Sequence, residues 1–140
     1  MRIEIPPEFL AVPYDGTRHP HSASFEFGRG ANCQLWAYAV LAHFGRHVPA
    51  VRSSELWDDT AFSRAVAALE PLDLLLFSDS ESAWGAHVGV YIGDGLVAHL
   101  SRRVGVPEVR SVEEMTRDPK YRVLIGAKRV SASCVSPPCA

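Results

Sequence analysis

The chain has 140 residues, 47% hydrophobic and 21% charged, with a formal net charge of −2. That is the size and balance of one globular domain whose core needs no disulfide or metal to hold it. It excludes a strongly basic footprint for nucleic acid or an anionic membrane, and no stretch approaches the roughly 20 apolar residues of a membrane helix.

Residues 1–27 are rich in Pro, Gly, His and Ser and show no sustained period. They read as an extended lead-in with at most short strands, anchored to the core by Tyr14, Phe25 and Phe27. The opening MRIEIPPEFL carries acids and prolines where a signal peptide needs an apolar run. As given, the chain is expected to be cytoplasmic, or secreted if an export segment has been trimmed from it.

The first clear helix follows Gly28 and Gly30. In ANCQLWAYAVLAHFG, the side chains of Leu35, Trp36, Ala39, Val40 and Phe44 recur at helical spacing. Asn32 suits the N-cap and Gly45 the C′ position, with His43 near the negative end. Such a helix would be buried over most of its circumference. Ser53 or Ser54 is expected to cap a short helix carrying Leu56 and Trp57. TAFSRAVAALE (60–70) reads as a further helical stretch, stopped by Pro71.

After Pro71 the period changes. LDLLLF (72–77) is an apolar run of strand length, HVGVYIG (87–93) and LVAHL (96–100) form a hairpin pattern, and YRVLIGAKRV (121–130) reads as a last strand. Helices first and a strand meander after argue an α+β fold with an antiparallel sheet. One domain is expected over 1–130. Residues 131–140 read as a frayed tail in which Cys134 and Cys139 could pair. The pair Arg102-Arg103 reads as solvated surface.

Three residues could carry chemistry. Cys33 lies at the first turn of the predicted helix, where unpaired N–H groups and the helix dipole favour an anion and lower a thiol's pKa. Alone, it reads equally as a buried apolar cysteine. His87 opens a strand on which Gly89 and Tyr91 share its face, leaving space above the sheet. Alone, it reads equally as a histidine satisfied by a turn. His99 lies on the returning strand. A two-residue Asp94-Gly95 turn would set Val90 opposite His99 and put the two histidines on different faces. A three-residue Gly93-Asp94-Gly95 loop would set Gly89 opposite His99, leaving the rings diagonal neighbours about 7–8 Å apart. A thiol, an imidazole base and a second group to fix that base are the parts of cysteine nucleophilic catalysis. Tyr14, His19 and His21 are candidates for the border of such a site.

RGANCQLWAYAVLAHFG resembles the Cys-bearing helix of NlpC/P60 cysteine peptidases, which is entered through Gly-x-Asp-Cys-Ser-Gly. PLDLLLF resembles the family's Gly-Asp-Leu strand. HVGVYIGDGLVAHL resembles its His-Val-Gly-Ile-Tyr strand, hairpin and second histidine, with the same His-to-His spacing. The likeness spans residues 28–100. It implies a papain-like α+β domain with the Cys-bearing helix packed on an antiparallel sheet. It also implies Cys33 as nucleophile, His87 as general base and His99 as its orienting partner, with no cofactor and no metal. The implied substrates are small peptides or amides of the muropeptide kind, cut at bonds involving D-glutamate and a diamino acid. Neither nucleic acid nor a membrane is implied as partner.

Asn32 stands where that family usually has Asp, and Gln34 where it usually has Ser. Both are candidates for substrate or oxyanion contact beside the Cys33 N–H. No tyrosine stands close upstream of Cys33; the nearest, Tyr14, lies far back in the lead-in. Beside amide hydrolysis, the same residues fit an acyltransferase that resolves the acyl-enzyme with another nucleophile, or a binding module with a degenerate site. Zinc ligation by Cys33, His87 and His99 lacks a close-spaced ligand pair to support it.

Overall fold

The computed structural model describes residues 1–132, so Cys134, Cys139 and most of the expected tail lie outside the described residues. Asn32 opens the first helix in the way its short amide permits. Its backbone is extended (φ −81°, ψ 179°), and its Oδ1 accepts the Leu35 N–H at 2.9 Å, satisfying a first-turn donor. The helix, α1, runs Cys33–His43. It stops at Gly45, where φ is +83°. There the Gly45 N–H donates to the Ala42 carbonyl and the Arg46 N–H to that of Leu41, the paired bonds of a Schellman end.

α1 is buried nearly all round, from Gln34 and Leu35 to Val40 and Leu41. The Trp36 indole N–H donates to the Phe9 carbonyl at 2.8 Å, and the Tyr38 hydroxyl to that of Val51 at 3.0 Å. The polar atoms of two large rings therefore enter the core with partners.

Six strands form one antiparallel sheet: β1 (Ser63–Val66), β2 (Leu74–Ser78), β3 (His87–Gly93), β4 (Leu96–Leu100), β5 (Pro107–Ser111) and β6 (Val123–Val130), in the order β1-β6-β2-β3-β4-β5. β2 to β5 are a meander; β6 returns to insert between β1 and β2. One face buries Leu74, Leu76, Val88, Val90, Ala98 and Leu100 in the core shared with α1. The other gathers Leu75, Phe77, Val97 and Ala127 with Met115 of α3 (Val112–Arg117) and Tyr121 of the 3₁₀ turn Pro119–Tyr121. Burial on both faces is why β2 reads as an unbroken apolar run and not as an alternation. Each fully buried leucine there contributes about 1.5–3 kcal/mol. Across the β2–β6 pair the buried Asp73 carboxylate takes two hydrogen bonds from Arg129, both at 2.9 Å.

The α+β expectation holds, with the Cys33 helix packed on β3 and β4. Three local expectations do not. TAFSRAVAALE is not a helix: the Asp59 carboxylate accepts the N–H groups of Ala61, Phe62 and Ser63 and the Ser63 hydroxyl, which turns the chain into β1. Pairing of Ser63–Val66 with Ala127–Val130 of β6 then outweighs the weak helical preference of an alanine-rich run. α2 (Ser53–Asp58) begins one residue early, with Arg52 at the N-cap and its N–H bonded to the Glu55 carboxylate at 2.8 Å. The lead-in, read as holding at most short strands, has a 3₁₀ turn, Pro7–Ala11, and a single bridge between Tyr14 and Ala31. Phe27 is 52% exposed, resting edge-on against Phe9 and Phe25, and does not enter the core. β5 and α3 carried no signal read from the sequence.

Candidate active site

The hairpin decides whether the two histidines meet. β3 and β4 pair Val90 with Ala98 and Tyr91 with Val97, but Gly93 with Leu96. Ile92 is therefore an extra residue on β3, a bulge. It leads into a two-residue Asp94-Gly95 turn whose φ values are both positive, +54° and +75°, the pattern that matches the twist of a hairpin. Bulge plus tight turn gives the same register as the three-residue loop, so Gly89 faces His99 and the histidines share a sheet face. A Cβ on Gly89 would come within 2.7 Å of a Val97 methyl and 3.4 Å of the His99 Cβ. Glycine is what leaves room for Val97 on the strand that carries His99.

On that face His87 Nε2 and His99 Nδ1 stand 2.8 Å apart, their rings nearly perpendicular at 89°. Tyr121 stacks on His87 at 4.6 Å and 23°. Burial, then the neighbouring His99, pushes His87 down to about 3. Burial likewise pushes His99 to about 4, against the pull of Glu108. Both rings are neutral at physiological pH.

Cys33 reaches β3 at its first residues. The backbone N–H groups of Val88, Gln34 and Cys33 itself point at the sulfur, and Arg52 lies near enough to favour a thiolate. Burial outweighs them and pushes the thiol up, contrary to the lowering expected for a helix start. Both shifts favour a neutral thiol beside a neutral imidazole.

Cys33 and His87 line one open cleft of about 380 Å³ with Tyr14, Asn32, Gln34 and Tyr121. Arg52, Arg102 and Lys120 bring positive charge to its walls and Asp79 negative charge. Asn32 and Gln34 are buried, and their carbonyl oxygens are committed: one caps α1, the other accepts Arg52 Nε at 3.0 Å. His99 is not on this cleft. It is 2% exposed and lines a separate small cavity of about 10 Å³ with Glu108 and Tyr121.

Among the expected border residues, only Tyr14 lines the cleft; His21 instead pairs with Glu55 at 2.8 Å, and His19 lies elsewhere. Arg102 belongs to the cleft, whereas its neighbour Arg103 pairs with Asp118 at 3.2 Å.

No family model matches the sequence, and no curated protein matches it. Among solved structures, the chain is similar to an NlpC/P60 family protein from Bacillus cereus ATCC 10987. The TM-score is 0.58 and the identity 22%, over 84% of this chain and 36% of that one. It is also similar to the NlpC/p60 domain of the peptidoglycan hydrolase SagA, at a TM-score of 0.54 and 20% identity, over 88% and 89% of the two chains. The fold is that of NlpC/P60 proteins. This chain spans about a third of the Bacillus chain and most of the SagA domain.

Within the NlpC/P60 fold several cleft residues come from places the sequence does not advertise. Tyr121 arrives from the turn before β6, Lys120 from its side, Arg52 from the cap of α2 and Arg102 from the loop after β4. None belongs to a spaced motif, so no pattern in the sequence marks them. Tyr14 is brought in by its bridge to Ala31, next to the N-cap of α1. Its hydroxyl is raised first by burial and then by Cys33, which puts the ring within electrostatic reach of the sulfur.

Proposed function

We propose that the chain is a thiol-dependent hydrolase of amide bonds, acting on peptidoglycan stem peptides or related γ-glutamyl and D-amino-acid amides. The observation that carries the reading is the shared cleft. A thiol at the start of a helix and an imidazole on the sheet border one open volume, and the far side of the imidazole is held by a second histidine at 2.8 Å. The likeness to the domain of a peptidoglycan hydrolase supplies the substrate class.

With His99 Nδ1 accepting from His87 Nε2–H, the lone pair of His87 Nδ1 is free to take the Cys33 proton as the sulfur attacks the substrate carbonyl. The Cys33 N–H is a candidate donor to the oxyanion, with the Tyr14 hydroxyl and the amide nitrogens of Asn32 and Gln34 as further candidates. As the tetrahedral intermediate collapses, the C–N bond breaks and the amine leaves with the proton from His87. An acyl-enzyme remains on Cys33. Water, deprotonated by His87, then cleaves the thioester and releases the carboxylate. The neutral resting pair fits this sequence, because the base must begin unprotonated. The cationic walls suit a substrate carrying carboxylates.

Wild-type chain should release a new primary amine from a muropeptide with a γ-D-glutamyl bond to a diamino acid, read by mass spectrometry. Cys33→Ala should turn over at least about 1,000-fold more slowly. Equal turnover by the two proteins would end the proposal. Amide products on addition of an amine acceptor would indicate acyl transfer, and no turnover by wild type a binding module.

A further inference from the structure

Behind His99 the sheet carries a carboxylate that the three-residue reading leaves unused. Glu108 sits on β5 directly opposite His99 in the strand register. Its Oε2 stands 3.3 Å from His99 Nε2, and its other oxygen accepts Arg110 Nε at 2.8 Å, which holds the group in place. His99 Nε2 is buried and has no aligned hydrogen-bond partner. A buried ring nitrogen left this way is costly unless a group beside it defines its proton. Three further charged groups border the small cavity that His99 and Glu108 share: Arg103, Asp118 and Lys120. Asp118 pairs with Arg103 at 3.2 Å, whereas Glu108 is the carboxylate in ion-pair contact with the His99 ring.

We propose that Glu108 is a positioning residue that extends the relay to Cys33–His87–His99–Glu108. The inference rests on the hydrolase reading for its catalytic meaning. A carboxylate facing Nε2 keeps the proton on that nitrogen, because an unprotonated lone pair there would face a negative charge. His99 is then fixed with Nδ1 as acceptor. That in turn fixes the His87 proton on Nε2 and leaves His87 Nδ1 as the base toward Cys33. No proton moves to Glu108. When His87 takes the thiol proton, the carboxylate stabilises the charge through a neutral His99, as the buried acid does in the Ser-His-Asp arrangement. Arg110 tempers that charge and sets its direction.

The sign of the effect separates a relay from a carboxylate acting through space. Neutralising a charge that merely repels the thiolate would make Cys33 more reactive; breaking the relay would make it less so. The test uses the full chain, with iodoacetamide as the thiol probe and the ring-nitrogen shifts of His99 by NMR as the tautomer probe. Wild type should show His99 protonated on Nε2 alone. Glu108→Gln should show mixed tautomers and about tenfold slower alkylation of Cys33 at neutral pH, equivalent to about one pH unit of lost His87 basicity. Glu108→Asp, which restores the charge, should recover most of the rate. An unchanged or faster rate in Glu108→Gln overturns the proposal, and so does a slow rate that Glu108→Asp fails to rescue. The tautomer signal needs no substrate. Should Cys33→Ala hydrolyse muropeptide like wild type, the hydrolase reading falls while the measurement on His99 still decides the relay.

Discussion

At the scale of single residues, the site is governed by competition between burial and hydrogen bonding. Cys33 has the setting that should favour a thiolate, with three backbone N–H groups at its sulfur, yet burial holds the proton on. His87 is held low by burial and by its neighbour. The two shifts diverge, so in the proposed reaction proton transfer accompanies the attack and does not precede it. Alkylation of Cys33 by iodoacetamide should therefore keep climbing as pH passes the ordinary thiol value of 9.0. A plateau reached already in mild acid would reveal a preformed thiolate–imidazolium pair and contradict this picture. Asn32 shows the same competition between roles. Its carbonyl oxygen already accepts the Leu35 N–H, so starting the helix draws on a group that also borders the cleft.

At the scale of elements, the β3–β4 hairpin is the part on which the site depends. One extra residue, Ile92, sets Gly89 opposite His99 and brings the histidines onto one face. Gly89 is the point at which that arrangement is most exposed to mutation. Gly89→Ala would force a methyl to within 2.7 Å of Val97 and 3.3 Å of the Ala98 carbonyl. Overpacking of this kind costs about 1–3 kcal/mol, and here the strain falls on the strand carrying His99. Chemical denaturation should show that loss, and the His87–His99 contact should weaken with it. A variant as stable as wild type, with the same His99 signals, would show that the strand gives way freely. The failure to foresee β1 belongs to this scale as well. Ala65, Val66, Ala67 and Ala68 look helical in isolation, but the Asp59 turn and the open edge of β6 exist only once the sheet has formed.

At the scale of the whole molecule, the buried His99 and the half-buried His87 couple the site to stability. Their folded values, about 3 and about 4, lie below the ordinary 6.5. The unfolded chain therefore binds more protons as pH falls through 6.5, and stability is lost from there down to the folded values. Each histidine contributes a slope of up to about 1.4 kcal/mol per pH unit in that window. The melting temperature should fall on acidification from 6.5, before the carboxylates with ordinary values of 3.8 and 4.5 titrate. His99→Asn should flatten the curve. An identical acid slope in that variant would mean that other groups carry the effect.

Read by itself, the sequence determined what depends on short-range order. The Asn32 cap, the apolar period of α1, the stop at Gly45 and the β2–β4 runs were all legible because each is a contest between neighbours a few residues apart. The candidate trio Cys33, His87 and His99 was not marked by local pattern alone, since each position also suits an ordinary structural residue; the resemblance to NlpC/P60 proteins is what singled it out. Whether two of them meet was not legible, because a bulge and a three-residue loop leave the same letters, Gly93-Asp94-Gly95. Tyr14 was legible as a border candidate, but other parts of the cleft were beyond reach of any local pattern. Arg52, Arg102, Lys120 and Tyr121, with Glu108 beyond His99, come together from separate loops and strands. Their meeting is a property of strand order and packing, since long-range contacts form only after the chain has closed its sheet.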